Sequence, residues 1–72
     1  MNKKITEIKI TSEFITLGQF LKFADIIQTG GEAKPFLAQN DVYVNDEFDV
    51  RRGRKLRSGD KVKVLGETYL IK

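Results

Sequence analysis

The chain has no cysteine, no histidine and no tryptophan, and it holds a single proline. Without cysteine there is no disulfide and no thiolate metal site. Without histidine the commonest general base and the commonest metal ligand are both missing. No apolar run approaches the ~18 residues of a membrane-spanning helix. The start, Met-Asn-Lys-Lys-Ile-Thr-Glu, is basic but has no apolar stretch behind it, so no signal peptide is expected and a soluble cytoplasmic protein is the default. With 72 residues, one domain spanning 1–72 is expected. A chain this short buries roughly 60% of its unfolded surface, so its core is small.

What the chain does have is positive charge in one place. Thirteen Lys and Arg stand against ten Asp and Glu, for a net charge of +3 and a pI near 9.3, a mild bias toward an anionic partner. The two halves differ little. Arg51, Arg52, Arg54, Lys55 and Arg57, however, follow one another with only Gly53 and Leu56 between them. Cations so close repel one another unless water, salt or a polyanion screens them. The plainer reading is a solvated loop whose cations pair with Asp46, Glu47 or Asp49, pairs that contribute about 0–1 kcal/mol each. Arginine's planar fork, however, suits phosphate better than lysine does. The reading favoured is that RNA is the polyanion.

Periodicity sets the expected elements. Lys3 to Thr11 reads as a strand, with Ile5 on the opposite face from Ile8 and Ile10. Thr16-Leu17-Gly18-Gln19 fits a capping box. Leu17, Phe20, Leu21, Ala24 and Ile27 then form the apolar stripe of a helix of roughly ten residues, ended by Gly30 or Gly31. A second, short helix is expected from about Glu32 to Gln39, with Pro35 tolerated near its first turn and Asn40 left-handed at its end. Val42–Val44 and Phe48–Val50 flank Asn45-Asp46-Glu47 as a hairpin. Ser58-Gly59-Asp60 turns the chain into Lys61–Leu65, whose Val62 and Val64 face inward, and Gly66-Glu67 turns it again into Thr68–Ile71. A helix pair segregated from short strands gives an α+β domain, two short helices on a small, mostly antiparallel sheet of four to five strands. The phenylalanines at 14, 20, 23, 36 and 48 are expected mostly in the core. Tyr43 and Tyr69 are candidates for base stacking, with strand packing the plainer reading.

The second helix's start offers backbone N–H groups and a positive dipole end, which suit a phosphate. Thr29, Gly30 and Gly31 form that corner, and Lys34 lies one turn in. The corner lacks the Gly-Lys-Ser/Thr of a nucleotide-binding loop. Asp46, Glu47 and Asp49 are too little, in a chain of this size, for a carboxylate-based active site, so no enzyme activity, cofactor or metal is expected.

Order and residues together resemble the S4-type RNA-binding domain, also called the αL motif. The resemblance rests on Leu17, Phe20, Leu21, the turn at Thr29 to Gly31, Ala33, Leu37, Val42, Val44, Asn45, Leu56, Gly59, Asp60 and Val62, and covers about residues 16–65. Gly30 to Lys34 and Arg51 to Arg57 are most similar to small stand-alone bacterial members, the YaaA-like proteins. The resemblance implies an αL fold and RNA binding by the second helix's start and the adjacent loop. Thr29-Gly30 stands where many members carry Ser-Arg, which shifts the expected contact toward residues 51–57. The expected partner is structured RNA, ribosomal or transfer, alone or within the ribosome or its precursors, bound by a monomer with no small-molecule substrate and no membrane. Two alternatives stand beside this. One is a protein–protein adaptor that offers its basic loop to an acidic partner. The other is a ubiquitin-like sulfur carrier, which the stretch from Val44 to Val64 also resembles. Carriers need a terminal Gly-Gly where this chain has Leu70-Ile71-Lys72.

Overall fold

The computed structural model describes residues 4–72, and two sequence patterns organise it. The first is strand alternation. Strands β3 (Val42–Val44), β6 (Lys61–Val64) and β7 (Glu67–Ile71) bury Val42, Val44, Val62, Val64 and Ile71 on one side and turn Tyr43, Lys61 and Lys63 to solvent. With β1 (Ile5–Ile8) and β4 (Glu47–Phe48) they make a five-stranded sheet in the order β1-β7-β6-β3-β4. Only the β1–β7 pairing is parallel; the rest is antiparallel. Strand β1 is shorter than the expected span from Lys3 to Thr11, and Lys3 lies outside the described residues. Ile5 is exposed, while Ile8 and Ile10 pack against the core.

The second pattern is the apolar stripe of α1 (Leu17–Phe23). Its capping box forms as expected. The Gln19 N–H donates to Thr16 Oγ1 at 3.2 Å, and the Thr16 N–H donates to Gln19 Oε1 at 2.9 Å. Leu17, Phe20 and Leu21 are fully buried, and Phe20 meets Tyr69 edge to face with ring centroids 5.2 Å apart. The helix stops earlier than its stripe suggests. Asp25, at φ 62°, takes the left-handed position. Its N–H donates to the Lys22 carbonyl, and the Ile26 N–H donates to Leu21, which satisfies two orphan carbonyls. Gly30 and Gly31 therefore do not end α1. They form a single 3-10 turn, Gly30–Glu32, that leads into α2 (Ala33–Gln39). Ile27 is still buried although it has left the helix.

Helix α2 carries Pro35 in its first turn, where a missing N–H costs little. Asn40 is extended at φ −135°, not left-handed. It closes the helix with its side chain instead, Nδ2 donating to the Phe36 carbonyl at 2.9 Å. The β3–β4 hairpin turns on Asn45 (φ 52°) and Asp46 (φ 70°) alone, a two-residue loop with both centres left-handed. Its return strand is Glu47–Phe48, not Phe48–Val50, and the chain leaves the sheet at Asp49. Leu65 (φ 54°) and Gly66 (φ 75°) make the same kind of turn between β6 and β7.

A short ribbon went unforeseen in the sequence. Strands β2 (Ile15–Thr16) and β5 (Lys55–Leu56) pair antiparallel, with Ile15 opposite Leu56 and Thr16 opposite Lys55. Ile15 and Leu56 are buried, so the ribbon's other positions look outward. Of the five phenylalanines only Phe20 is fully buried, and Phe36 packs against the core from partial burial. Phe23 and Phe48 are more than half exposed, since each projects from a face that no other element covers.

Asn45 and Asp60, two residues that carry the αL resemblance, turn out to join the two turns. The Asn45 N–H donates to the Lys61 carbonyl, and the Lys61 N–H returns to Asn45 Oδ1. Asn45 Nδ2 donates to Asp60 Oδ1 at 3.1 Å, while Asp60 Oδ2 accepts the Arg57 N–H at 2.8 Å. Asp60 thereby fixes where the basic loop ends.

Candidate nucleic-acid interface

The loop from Arg51 to Arg57 is held against the start of α1 by backbone hydrogen bonds. The Leu17 N–H donates to the Arg54 carbonyl at 2.7 Å and the Gly18 N–H to the Arg52 carbonyl at 3.0 Å. These are N–H groups of the first turn, which a helix cannot satisfy internally. The approach is close enough to require glycine. A Cβ on Gly18 would sit 2.9 Å from Arg52 Cγ and 3.6 Å from the Ala33 Cβ. Loop, α1 and the start of α2 thus converge on one surface.

That surface has a shape. An open groove is lined by Thr16, Gly18, Gln19, Lys22, Gly30, Ala33, Arg52 and Gly53. A neighbouring hollow is lined by Lys34, Leu37, Ala38, Val50 and Arg52. Arg52 borders both, with Lys22 on one wall and Lys34 on the other. Gly30 shares the groove with Arg52, and Lys34 shares the neighbouring hollow with it. Lys22 joins them, although its sequence context reads as no more than a solvated helix position. Only the docking of the loop on Gly18 puts it there.

Thr29 and Gly31 line neither the groove nor the neighbouring hollow. The Glu32 carboxylate accepts from the Thr29 hydroxyl and from the Gln28 N–H, both at 3.3 Å. A carboxylate already answers the corner's positive end. Thr29 caps nothing with its side chain.

The other cations of the loop turn away from Arg52. Asp49, with 7% of its side chain accessible, is gripped by two arginines. Arg51 donates Nε to Oδ1 at 3.0 Å and Nη2 to Oδ2 at 2.8 Å, and its own N–H also reaches Oδ1. Arg54 donates Nη1 to Oδ2 at 2.9 Å. The Arg51 guanidinium holds the Asp49 carboxyl well below the usual carboxylate range. Burial pushes the other way, and the Arg51 N–H and Arg54 add to the lowering. At neutral pH the trio carries one net positive charge. Arg54, with 25% of its side chain accessible, works mainly as an internal anchor, whereas Arg51 remains 74% accessible. The sequence already marked Asp49 as a pairing partner for the loop.

Arg51, Gly53, Arg54, Lys55 and Arg57 line a second, polar hollow of about 440 Å³, and Gly53 also borders the groove, so the two meet there. At its edge the Lys55 Nζ lies 4.9 Å and the Arg57 Cζ 5.6 Å from the centroid of the Phe14 ring. Phe14, expected in the core, is only partly buried. Tyr69 is packing, as its contact with Phe20 shows. Tyr43 stands on the open face of the sheet against Phe48, with ring centroids 5.7 Å apart. Among the described residues no cluster of three or more carboxylates could hold a metal ion, and no helix is long and apolar enough to cross a membrane.

Comparison with known families matches residues 8–72 to the S4 domain. The chain belongs to the S4 domain family. The match extends past the span carried by the sequence resemblance and takes in the end of β1 and all of β7. A Bacillus subtilis (strain 168) protein with the name "Probable ribosome maturation protein RlbA" is 63% identical over 59 residues, covering 82% of this chain and 83% of that protein. No solved structure matches the chain significantly. Within this S4 domain, the first turn of α1 and the basic loop are the two parts that meet at Gly18 and Arg52.

Proposed function

We propose that this S4 domain binds structured RNA, ribosomal or transfer, in the course of ribosome maturation. The observation that carries the reading is Arg52, standing between Lys22 and Lys34 over an apolar floor of Ala33, Leu37 and Val50. Cations spread along an open groove neutralise successive phosphates, and a shallow groove without convergent donors selects by shape more than by base. The similar protein's name supports a ribosomal partner. Arg51, Lys55 and Arg57 extend the positive surface past Gly53. The domain acts as a monomeric, cytoplasmic binding protein, with no reaction of its own.

Titration of binding against salt tests this. If about five phosphates are neutralised, log K against log salt slopes at roughly −3.5 to −4.5. The double substitution Lys34→Glu, Arg52→Glu lowers affinity for ribosomal RNA fragments and flattens the slope. It leaves folding nearly intact, since surface changes of this kind cost about 0.5 kcal/mol or less. A slope near zero, or unchanged affinity in the double variant, overturns the reading. So does a cellular partner that stays bound after RNase treatment, which would point to an adaptor.

A further inference from the structure

We propose that the β2–β5 ribbon carries a stacking site for one unpaired nucleotide, so that the domain prefers RNA helices that end in, or are interrupted by, an unpaired base. The inference rests on the RNA-binding reading above and names which RNA the surface fits.

The ribbon's register builds the site. Ile15 opposes Leu56 and Thr16 opposes Lys55, so continuing the antiparallel pairing by one residue sets Phe14 across from Arg57. Ile15 and Leu56 point into the core, and strand alternation therefore turns Phe14, Lys55 and Arg57 outward together. Both cations come within cation–π range of the Phe14 ring, at 4.9 and 5.6 Å.

Three constraints keep Arg57 in place. The ring backs its guanidinium, the Arg57 N–H is bound by Asp60 Oδ2 at 2.8 Å, and its carbonyl accepts the Asp60 N–H at 3.0 Å. Arg57 is exposed, and among the described residues it makes no ion pair with a carboxylate. An exposed guanidinium held beside an aromatic ring, its Cζ 5.6 Å from the ring centroid, presents a plane on which a base can stack, one of the ways in which splayed-out RNA bases are held.

The neighbourhood supplies the rest of a nucleotide site. The polar hollow beside the shelf is lined by Arg51, Arg54, Lys55 and Arg57 and suits the phosphate attached to a stacked base. Its junction with the Arg52 groove at Gly53 lets one RNA run from the groove, where a helix lies, to the shelf, where its unpaired end stacks. A duplex with nothing unpaired would use the groove alone.

The test compares a blunt RNA duplex with the same duplex carrying a single-nucleotide 5′ or 3′ overhang of 2-aminopurine. The expected result is about tenfold tighter binding of one overhang form, in line with stacking of a single base, with quenching of its fluorescence. Phe14→Leu keeps apolar bulk but removes the ring, and Arg57→Lys keeps the charge but removes the plane. Each should abolish the difference between overhang and blunt binding and restore the fluorescence, whatever the variant's own affinity for the blunt duplex. Arg57→Lys keeps the test valid if Phe14→Leu fails to fold. Equal binding of blunt and overhang forms, or a preference that survives both substitutions, overturns the stacking site and leaves the RNA reading standing. Failure of the unaltered protein to bind any of the duplexes overturns both.

Discussion

Gly18 in the first turn of α1 and Arg52 in the basic loop occupy space that only a glycine can share. The Gly18 N–H donates to the Arg52 carbonyl at 3.0 Å, and a Cβ on Gly18 would fall 2.9 Å from Arg52 Cγ. Two opposing effects set the outcome of Gly18→Ala. Alanine improves a helix by about 1 kcal/mol over glycine, whereas overpacking costs about 1–3 kcal/mol. The Cγ can move away only by rotation about the Cα–Cβ bond, which redirects the whole arginine side chain out of its place in the groove. A net loss of stability is therefore expected. In an Arg52→Ala background the clash is gone, and Gly18→Ala should become stabilising. Urea midpoints for the four proteins of this cycle measure the reversal. A loss of equal size in both backgrounds would show that the close contact is not the cause.

Asp49 makes stability depend on acid. Its carboxyl is held below the ordinary range in the folded protein, chiefly by the Arg51 guanidinium, while in the unfolded chain it titrates near 3.9. A folded value below the unfolded one gives stability that is fully present above about pH 4 and is lost as pH falls from there. Asp49→Asn removes the charge and should cost about 1–3 kcal/mol at neutral pH, the worth of hydrogen bonds to a charged group that is largely buried. The gap between the two proteins should narrow below pH 4. Denaturant midpoints between pH 7 and pH 2 check this, and a constant gap across the range would rule out the carboxylate as its source.

Leu65 holds a left-handed backbone at φ 54° with most of its side chain in water. Such a conformation costs a leucine roughly 1–2 kcal/mol, and the side chain recovers little of that through packing. Leu65→Asn places Asn-Gly in a turn with both centres left-handed, the pairing such turns favour most. The variant should be more stable by about 1 kcal/mol, read as a higher melting temperature with RNA binding unchanged. A lower melting temperature would mean that Leu65 packs to more effect than its exposure indicates.

Much of this domain was legible in the chain because short-range chemistry governs it. The Thr16–Gln19 capping box, the alternation of Val62 and Val64 with Lys61 and Lys63, and the turn at Asn45-Asp46 depend on neighbours within a few residues. Where a local rule had two satisfactory answers, the expectation missed. Aspartate tolerates the left-handed region as glycine does, so Asp25 ended α1 before Gly30 was reached. Asn40 could close α2 by its backbone or by its side chain, and it used the side chain. The apolar stripe continued to Ile27 because burial does not require helix.

The sequence by itself determined the α+β class, the family, the place of most turns and the presence of a basic loop beside Asp49, because each follows from residue type and spacing. Only the tertiary structure decided which way each cation of that loop points. Arg51 and Arg54 fold back on Asp49, Arg52 enters the groove with Lys22 and Lys34, and Lys55 and Arg57 lie over Phe14. Five neighbouring charges look alike along the chain. They are sorted by contacts with Asp49, Gly18, Phe14 and Asp60, and of these Gly18 and Phe14 lie more than thirty residues away in sequence from the cations they position, where no periodicity or spacing rule reaches.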